Sequence, residues 1–359
     1  TVKGLHEKMG TFENANTSFH QAARCKRYTN EVLAFSMVKE EELLRATEEI
    51  QNLTYRQGEY KIFKVFEPKE RLIMALPFYD RVVQHMICNA IQPVFENGFY
   101  YHSYACRSGK GMHAASDTLY QWMYETEVKQ GLRMYAFKGD ISKYFASIPH
   151  DKLKDENRRY IGDKKALMLM DDIIDHNGIL PDGVGIPVGN LTSQLFANVY
   201  GNKLDKFCKH VLHIPYFVRY MDDFIILSDD LEQLKEWVKR IEEFLENEML
   251  LHINPKSTIL YAGNGIDFCG YIHYADHKKV RKSSIRKLKQ DVKAYELGEL
   301  PPEEFNRKYE SRKTFRTTPT HTTLQRRLNT NCCSMNGNAW KQRRKKGQNK
   351  KPFHYMIYL

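Results

Sequence analysis

Two adjacent carboxylates hemmed in by apolar runs constrain this chain more than any other feature. In the stretch RYMDDFIIL, Asp222 and Asp223 follow Phe217-Val218 and precede Phe224 to Leu227. The flanks read as two short buried strands around an acidic turn. Neighbouring carboxylates at the end of such strands repel each other and are costly to take out of water. The chain must either turn them into solvent, as Asp-Asp pairs do in hairpin turns, or give them a cation to face. A third acid bears on that choice. Asp140 ends the apolar run MYAFKG and is followed by ISKYFASIPHDKL. A strand-terminal Asp with an Asp-Asp hairpin supplies hard oxygen ligands of the kind Mg²⁺ prefers. Two such ions about 3.5–4 Å apart stabilise both the attacking and the leaving oxygen in phosphoryl transfer.

The elements around these acids predict an α+β domain. Residues 39–54 read as an amphipathic helix with Ala46, Ile50 and Leu53 on one face. Lys61 to Phe66 and Arg71 to Leu76 flank the turn EPKE and read as a hairpin. Val83, Met86, Ile87, Ala90 and Ile91 recur at helical spacing. A helix is expected over Ser193–Leu212, opening after Pro187 and Gly189, and a charged helix over Leu231–Leu245. ILYAGNGIDFCGYIHY suggests a further hairpin. Beyond it, Ser283 or Ser284 is placed to cap a helix with Leu288, Val292 and Tyr295 on one side and Arg286, Lys289 and Lys293 on the other. Helices and hairpins in this order exclude a regular βαβ alternation.

Charge is distributed unevenly. The net charge is +11, yet residues 281–359 hold 20 Lys or Arg against 6 Asp or Glu, which leaves the first 280 residues at −3. A near-neutral body with a basic C-terminal part points to a polyanion held by that part. The run KQRRKKGQNKK also fits a solubilising tail. The seven cysteines are odd in number and contain no CxxC spacing, so neither a disulfide framework nor a zinc site is expected. No run of about 18 uncharged apolar residues exists, no membrane is expected as a partner, and TVKGLHEKMG lacks the apolar core of a secretory signal. A cytoplasmic protein with reduced thiols is the expectation.

Seven blocks carry a resemblance. KERLIMALPFYDRVVQHMI, YACRSGKGMHAA, GDISKYFASIPH, GIPVGNLTSQLFANVYGNKLD, RYMDDF, INPKST and FCGYI follow one another in the order found in reverse transcriptases, along about 200 residues. The resemblance implies a right-hand architecture: fingers over 1–135 (with part of the palm), a palm over 136–280, and a helical basic thumb with a tail over 281–359. It implies RNA-directed DNA synthesis with two Mg²⁺ ions, for which Mn²⁺ can substitute. Asp140, Asp222 and Asp223 become the metal ligands, helped by the carbonyl of Ile141. Phe145 becomes the steric gate beneath the incoming sugar, although a core Phe fits the same spacing. Lys69 and Arg71 would hold the triphosphate, Arg107 would pack on the incoming base and its phosphates, and Lys256 would protonate the pyrophosphate. Gly270 would lie near the primer strand, and Arg286, Lys289 and Lys293 would grip template and primer.

Within the family, GIPVGNLTSQ is the most telling block. Val188 stands where many members have Gln, and Gln194, beside the nascent base pair, stands where they have Pro. This form resembles the reverse transcriptases of diversity-generating retroelements. That likeness implies a bacterial or phage-encoded enzyme. It implies an RNA template, a DNA or RNA primer, deoxynucleoside triphosphates, frequent errors opposite adenine, and a small basic pentameric accessory protein as partner. Two rivals remain open at this point: a phage-defence reverse transcriptase, and an inactive nucleic-acid-binding protein of the same fold.

Overall fold

Short amphipathic helices build the N-terminal part of the molecule. In the computed structural model, which describes residues 1–66 and 70–313, helices α1 (Leu5–Met9), α2 (Phe12–Ala22), α3 (Asn30–Met37) and α4 (Lys39–Gln51) come first. The Thr11 side chain accepts a hydrogen bond from the Asn14 backbone N–H and so caps α2. Ala46 and Ile50 of α4 are fully buried. The helix stops at Gln51, one turn short of the expected end, because Leu53 adopts φ 59°, a left-handed conformation that cannot continue a helix.

Strands β1 (Lys61–Val65) and β2 (Arg71–Ala75) pair antiparallel, Lys61 opposite Ala75. Helix α5 (Phe78–Glu96) then buries Val82, Val83, Met86, Ile87 and Ile91, the stripe its spacing predicts. Helix α6 (Met112–Met123) leads to strand β3 (Tyr135–Asp140), and the short helix α7 (Tyr144–Ser147) leads to α8 (His150–Tyr160) and α9 (Lys164–Asp175).

Helix α10 (Leu191–Lys206) is buried on nearly every side, with twelve of its residues inside. A helix so placed must satisfy its polar groups internally. The Asn198 amide donates to the Ala105 carbonyl (2.7 Å), the Asn202 amide donates to the Gly98 carbonyl (2.9 Å), and the Tyr200 hydroxyl donates to the Met249 carbonyl (2.6 Å). The helix begins at Leu191 and gives way after Lys206 to a wider helical turn over Phe207–Val211, so the helical stretch spans the range its sequence predicts.

Strands β4 (Tyr216–Tyr220) and β5 (Asp223–Ser228) form the expected hairpin, and α11 (Leu231–Glu248) follows, capped by the Asp230 carboxylate. Strand β6 (Thr258–Tyr261) departs from expectation. It pairs with β3, Tyr261 opposite Tyr135, and not with its own downstream neighbour. The result is one antiparallel sheet in the order β4-β5-β3-β6. Long-range pairing prevails here because Ala136 and Phe137 of β3 need a partner on each side to bury their backbone polar groups. Short strands β7 (Ile266–Phe268), β8 (Tyr271–His273) and β9 (Lys278–Val280) come next.

Among the described residues, 1–269 with 273–277 form one compact unit, and 270–272 with 278–313 form a second. In the second unit, α12 (Lys282–Glu296) and α13 (Pro302–Lys313) enclose a small core of Leu288, Val292 and Phe305, and Tyr295 stacks on Phe305 at 4.3 Å. Ser283 and Ser284 lie inside the first turn of α12; Arg281 occupies the cap position and no side chain caps the helix. Among the described residues no helix is long and apolar enough to cross a membrane. The molecule is of mixed helix-and-sheet class.

Candidate active site

One end of the central sheet gathers the acids. Asp140, the last residue of β3, stands directly opposite Asp223, the first residue of β5. Register partners in an antiparallel pair have Cα atoms about 4.5–5.5 Å apart. Asp222 lies in the two-residue turn between Tyr220 and Asp223, and its carbonyl accepts a hydrogen bond from the Ile141 N–H (3.2 Å). All three acids are half-buried. The backbone thus brings together the three carboxylate-bearing residues and Ile141. Among the described residues, no group of three or more His, Cys, Asp or Glu side chains is arranged to hold a metal ion.

The strand end is shaped by two unusual backbone positions. Gly139 faces the Phe224 ring so closely that a Cβ would fall 2.3 Å from it. Met221 has φ 60°, the left-handed first turn position of the primed hairpin turns that match strand twist. A non-glycine residue there is strained, so something nearby must hold it.

Two sets of groups hold the strand ends. The first is the loop 254–257. The Asn254 side-chain amide donates to Asp140 Oδ2 (2.7 Å), the Asn254 N–H donates to the Asp140 carbonyl (2.8 Å), and the Asp140 N–H donates to Ser257 Oγ (3.0 Å). The second is a buried ion pair. Arg219 Nε and Nη2 donate to Asp205 Oδ1 and Oδ2, both at 2.6 Å, with neither side chain exposed. Burial pushes the Asp205 carboxyl upward and the adjoining guanidinium opposes that shift. Burial also pushes the Tyr144 phenol up, so it remains a donor, to the Ala197 carbonyl at 2.7 Å.

Asn254, Ser257, Asp205 and Arg219 all lie inside the resembling blocks, yet the sequence assigns none of them a role. Arg219 did leave a signal: a lone charge inside the apolar run FVRY, where a buried strand tolerates one only if it is paired. Replacing Asn254 with Ala removes a charge-assisted hydrogen bond to Asp140, a contact of about 1.5–3 kcal/mol. Nucleotide incorporation by Asn254→Ala should fall by about 10–100-fold, read from single-turnover rates.

Phe145 lies on α7, half-buried, with its carbonyl accepting from the Ile186 N–H (2.8 Å). The block that follows Ile186 reaches the β1–β2 hairpin. The Val188 carbonyl accepts from the Met74 N–H (3.1 Å), and Gly189, at φ 127°, lies so near Met74 that a Cβ would meet its carbonyl oxygen at 2.9 Å. Gln194 sits half-buried in the first turn of α10. Lys256 is exposed, and its backbone N–H donates to Asn254 Oδ1 (3.1 Å).

Arg107 has a different setting from the one its motif implies. Its guanidinium is 8% exposed, pairs with Glu96 (2.8 Å) and donates to the Tyr100 and Ser103 carbonyls, both at 2.7 Å. In this structure it braces the 100–107 segment from inside. Lys69 and the side chain of Arg71 lie outside the described residues, as do Cys332, Cys333 and the basic run after residue 340; the backbone of Arg71 opens β2 opposite Val65. Gly270 and the α12 residues belong to the second unit. Gly270 takes φ 83° and its carbonyl accepts from the Arg281 N–H (2.9 Å). Arg286, Lys289 and Lys293 are all exposed, opposite the buried Leu288 and Val292.

Residues 64–273, which hold all three acids, match the family model described as reverse transcriptase (RNA-dependent DNA polymerase). Protein YkfC of Escherichia coli K12 is 25% identical, over 57% of this chain and 62% of that protein. An uncharacterized 91 kDa protein in a cob intron of Schizosaccharomyces pombe is 29% identical, over 37% of this chain and 16% of that protein. The chain thus spans under two thirds of the length of these relatives. Among solved structures, apo telomerase from Candida tropicalis superposes with a TM-score of 0.50 at 12% identity, covering 64% of this chain and 48% of that one. That likeness concerns the fold, the right hand of polymerases. With 210 consecutive residues matched, from the β1 strand to β8, this chain belongs to the reverse transcriptase family.

Proposed function

We propose that this chain is an RNA-directed DNA polymerase that extends a DNA or RNA primer on an RNA template. The observation that carries the reading is the register pairing of Asp140 with Asp223, with Asp222 in the adjoining turn. Their donor set is all carboxylate oxygen, with the Ile141 carbonyl as a further oxygen, and hard oxygen ligands fit Mg²⁺ or, in its place, Mn²⁺. When bound, two such ions lower the charge repulsion between the primer end and the triphosphate. The chain's own residues do the rest. The 3′-hydroxyl gives up its proton to solvent as its oxygen attacks the α-phosphorus, a new P–O bond forms, and the bond to pyrophosphate breaks. Lys256, exposed beside Asn254, donates a proton to the leaving pyrophosphate. Lys69 and Arg71 neutralise the triphosphate from the fingers, and the exposed basic face of α12, with Gly270, grips the template–primer duplex. Such contacts release counterions, so affinity for the duplex falls steeply with salt.

Phe145 is the sugar gate in this reading. Its ring leaves no space for a 2′-hydroxyl. Phe145→Ala should therefore raise ribonucleotide incorporation relative to deoxynucleotide by about 10–100-fold, the scale of one steric contact. Unchanged sugar discrimination in paired kinetic assays would remove Phe145 from the role.

The subtype we infer is the error-prone enzyme of a diversity-generating retroelement. Val188 and Gln194 support it: they depart from the Gln and Pro that many family members carry in this block. A changed side chain beside the nascent pair alters how mispairs are tolerated. A small basic pentameric accessory protein would be the partner, in a bacterial or phage setting. The test is to sequence cDNA made on a supplied RNA of defined sequence. Errors concentrated opposite adenine support the subtype. Accurate copying would contradict it, and DNA made without regard to the template would favour a phage-defence enzyme.

A further inference from the structure

We propose that the buried Arg219–Asp205 pair is the positioning device of the acidic hairpin, setting the turn that presents Asp222. The proposal rests on the reading of the three carboxylates as metal ligands, and four observations carry it. First, the guanidinium spends only two of its nitrogens on Asp205. Nη1 donates to the Met221 carbonyl (2.9 Å), inside the turn itself. Second, the Met221 residue so held is the strained one, at φ 60°. A charge-assisted hydrogen bond to its carbonyl fixes a conformation the residue would not keep alone.

Third, the pair is tied to the frame on every side. Nη2 also donates to Ser103 Oγ (3.1 Å), the Arg219 N–H donates to the His102 carbonyl (3.0 Å), and the Tyr104 N–H donates to the Arg219 carbonyl (3.0 Å). Asp205 comes from the buried helix α10. That helix also yields space, because a Cβ on Gly201 would fall 2.6 Å from Nη1. Fourth, stability alone gives little reason for the arrangement. A well-packed apolar pair in place of a buried ion pair is commonly neutral or stabilising. What an apolar pair lacks is a donor for the Met221 carbonyl. With the Met221 carbonyl held by Arg219 and the Asp222 carbonyl held by the Ile141 N–H, both turn carbonyls are referenced to the frame that carries Asp140.

Two variants test this. Arg219→Met with Asp205→Leu removes both charges together and leaves an apolar pair. Arg219→Lys keeps a charge opposite Asp205 but loses the planar fork whose three nitrogens are spread over the Asp205 carboxylate and the Met221 carbonyl. Each is compared with wild type in thermal unfolding, in Mn²⁺ binding followed by electron paramagnetic resonance, and in primer extension on RNA. The expected result is a folded protein with near-wild-type KM for the nucleotide. Its kcat falls by about 10–100-fold, the scale of one charge-assisted hydrogen bond, and Mn²⁺ binding weakens by a similar factor.

A folded double variant with wild-type kcat and Mn²⁺ affinity overturns the proposal. So does a double variant that fails to fold, since the pair would then be a requirement of the fold and not of the turn. The Mn²⁺ titration separates the two levels of argument. If wild type makes no DNA, the polymerase reading fails, whereas weakened Mn²⁺ binding in the variants still reports the positioning of the hairpin.

Discussion

Arg219→Met alone is expected to lower the unfolding free energy by about 3–5 kcal/mol. The change strands a carboxylate that has no exposed surface and whose two closest partners are both on the missing guanidinium. Desolvation of that charge is no longer offset, so Asp205 must either take up a proton or open the helix packing around it. The loss should appear in urea unfolding as a lower midpoint at unchanged slope. It should also shrink when Asp205→Leu is added, because the stranded charge disappears. A loss below about 1 kcal/mol would mean that Asp205 reaches water, contrary to its burial.

The largest functional effect is expected from Asp222→Ala combined with Asp223→Ala. DNA synthesis should drop by at least about 10³-fold, since stabilisation of a phosphoryl-transfer transition state by bound ions amounts to several kcal/mol. The fold should survive. Asp222 lies in a turn and Asp223 at a strand end, and removing two adjacent carboxylates relieves repulsion. Thermal unfolding near that of wild type, together with lost synthesis in single-turnover assays, is the predicted combination. Synthesis within tenfold of wild type would exclude both residues from the chemistry.

The acidic end of the sheet was legible in the sequence because hydrophobic patterning is local. MYAFKG and FIIL read as buried strands, and the resemblance to reverse transcriptases implied that the acids at their ends share a site. The same logic placed α5, whose apolar stripe recurs at helical spacing, and the β1–β2 hairpin around EPKE. Three features were less legible. The pairing of β6 with β3 is a contact between residues more than 100 positions apart, and no local pattern encodes a partner at that distance. The end of α4 turned on the left-handed backbone of Leu53, a conformation that leucine's propensity opposes. Asn254, Ser257 and Asp205 lie inside the resembling blocks, but as ordinary polar residues they acquire a supporting role only from what they touch. Arg107 is the converse case. Its motif implies a nucleotide contact, and in this structure Nε pairs with Glu96 while Nη1 donates to two carbonyls.

Primer extension by the wild-type chain tests the central claim most directly. A labelled DNA primer annealed to an RNA of known sequence is incubated with the protein, the four deoxynucleoside triphosphates and Mg²⁺, and the product is sequenced. The account predicts a DNA product complementary to the RNA, made only when Mg²⁺ or Mn²⁺ is supplied and lost when Asp140 is changed to Asn. Salt-sensitive binding of the duplex with no nucleotide added would contradict it, leaving the fold of a polymerase used only to hold RNA.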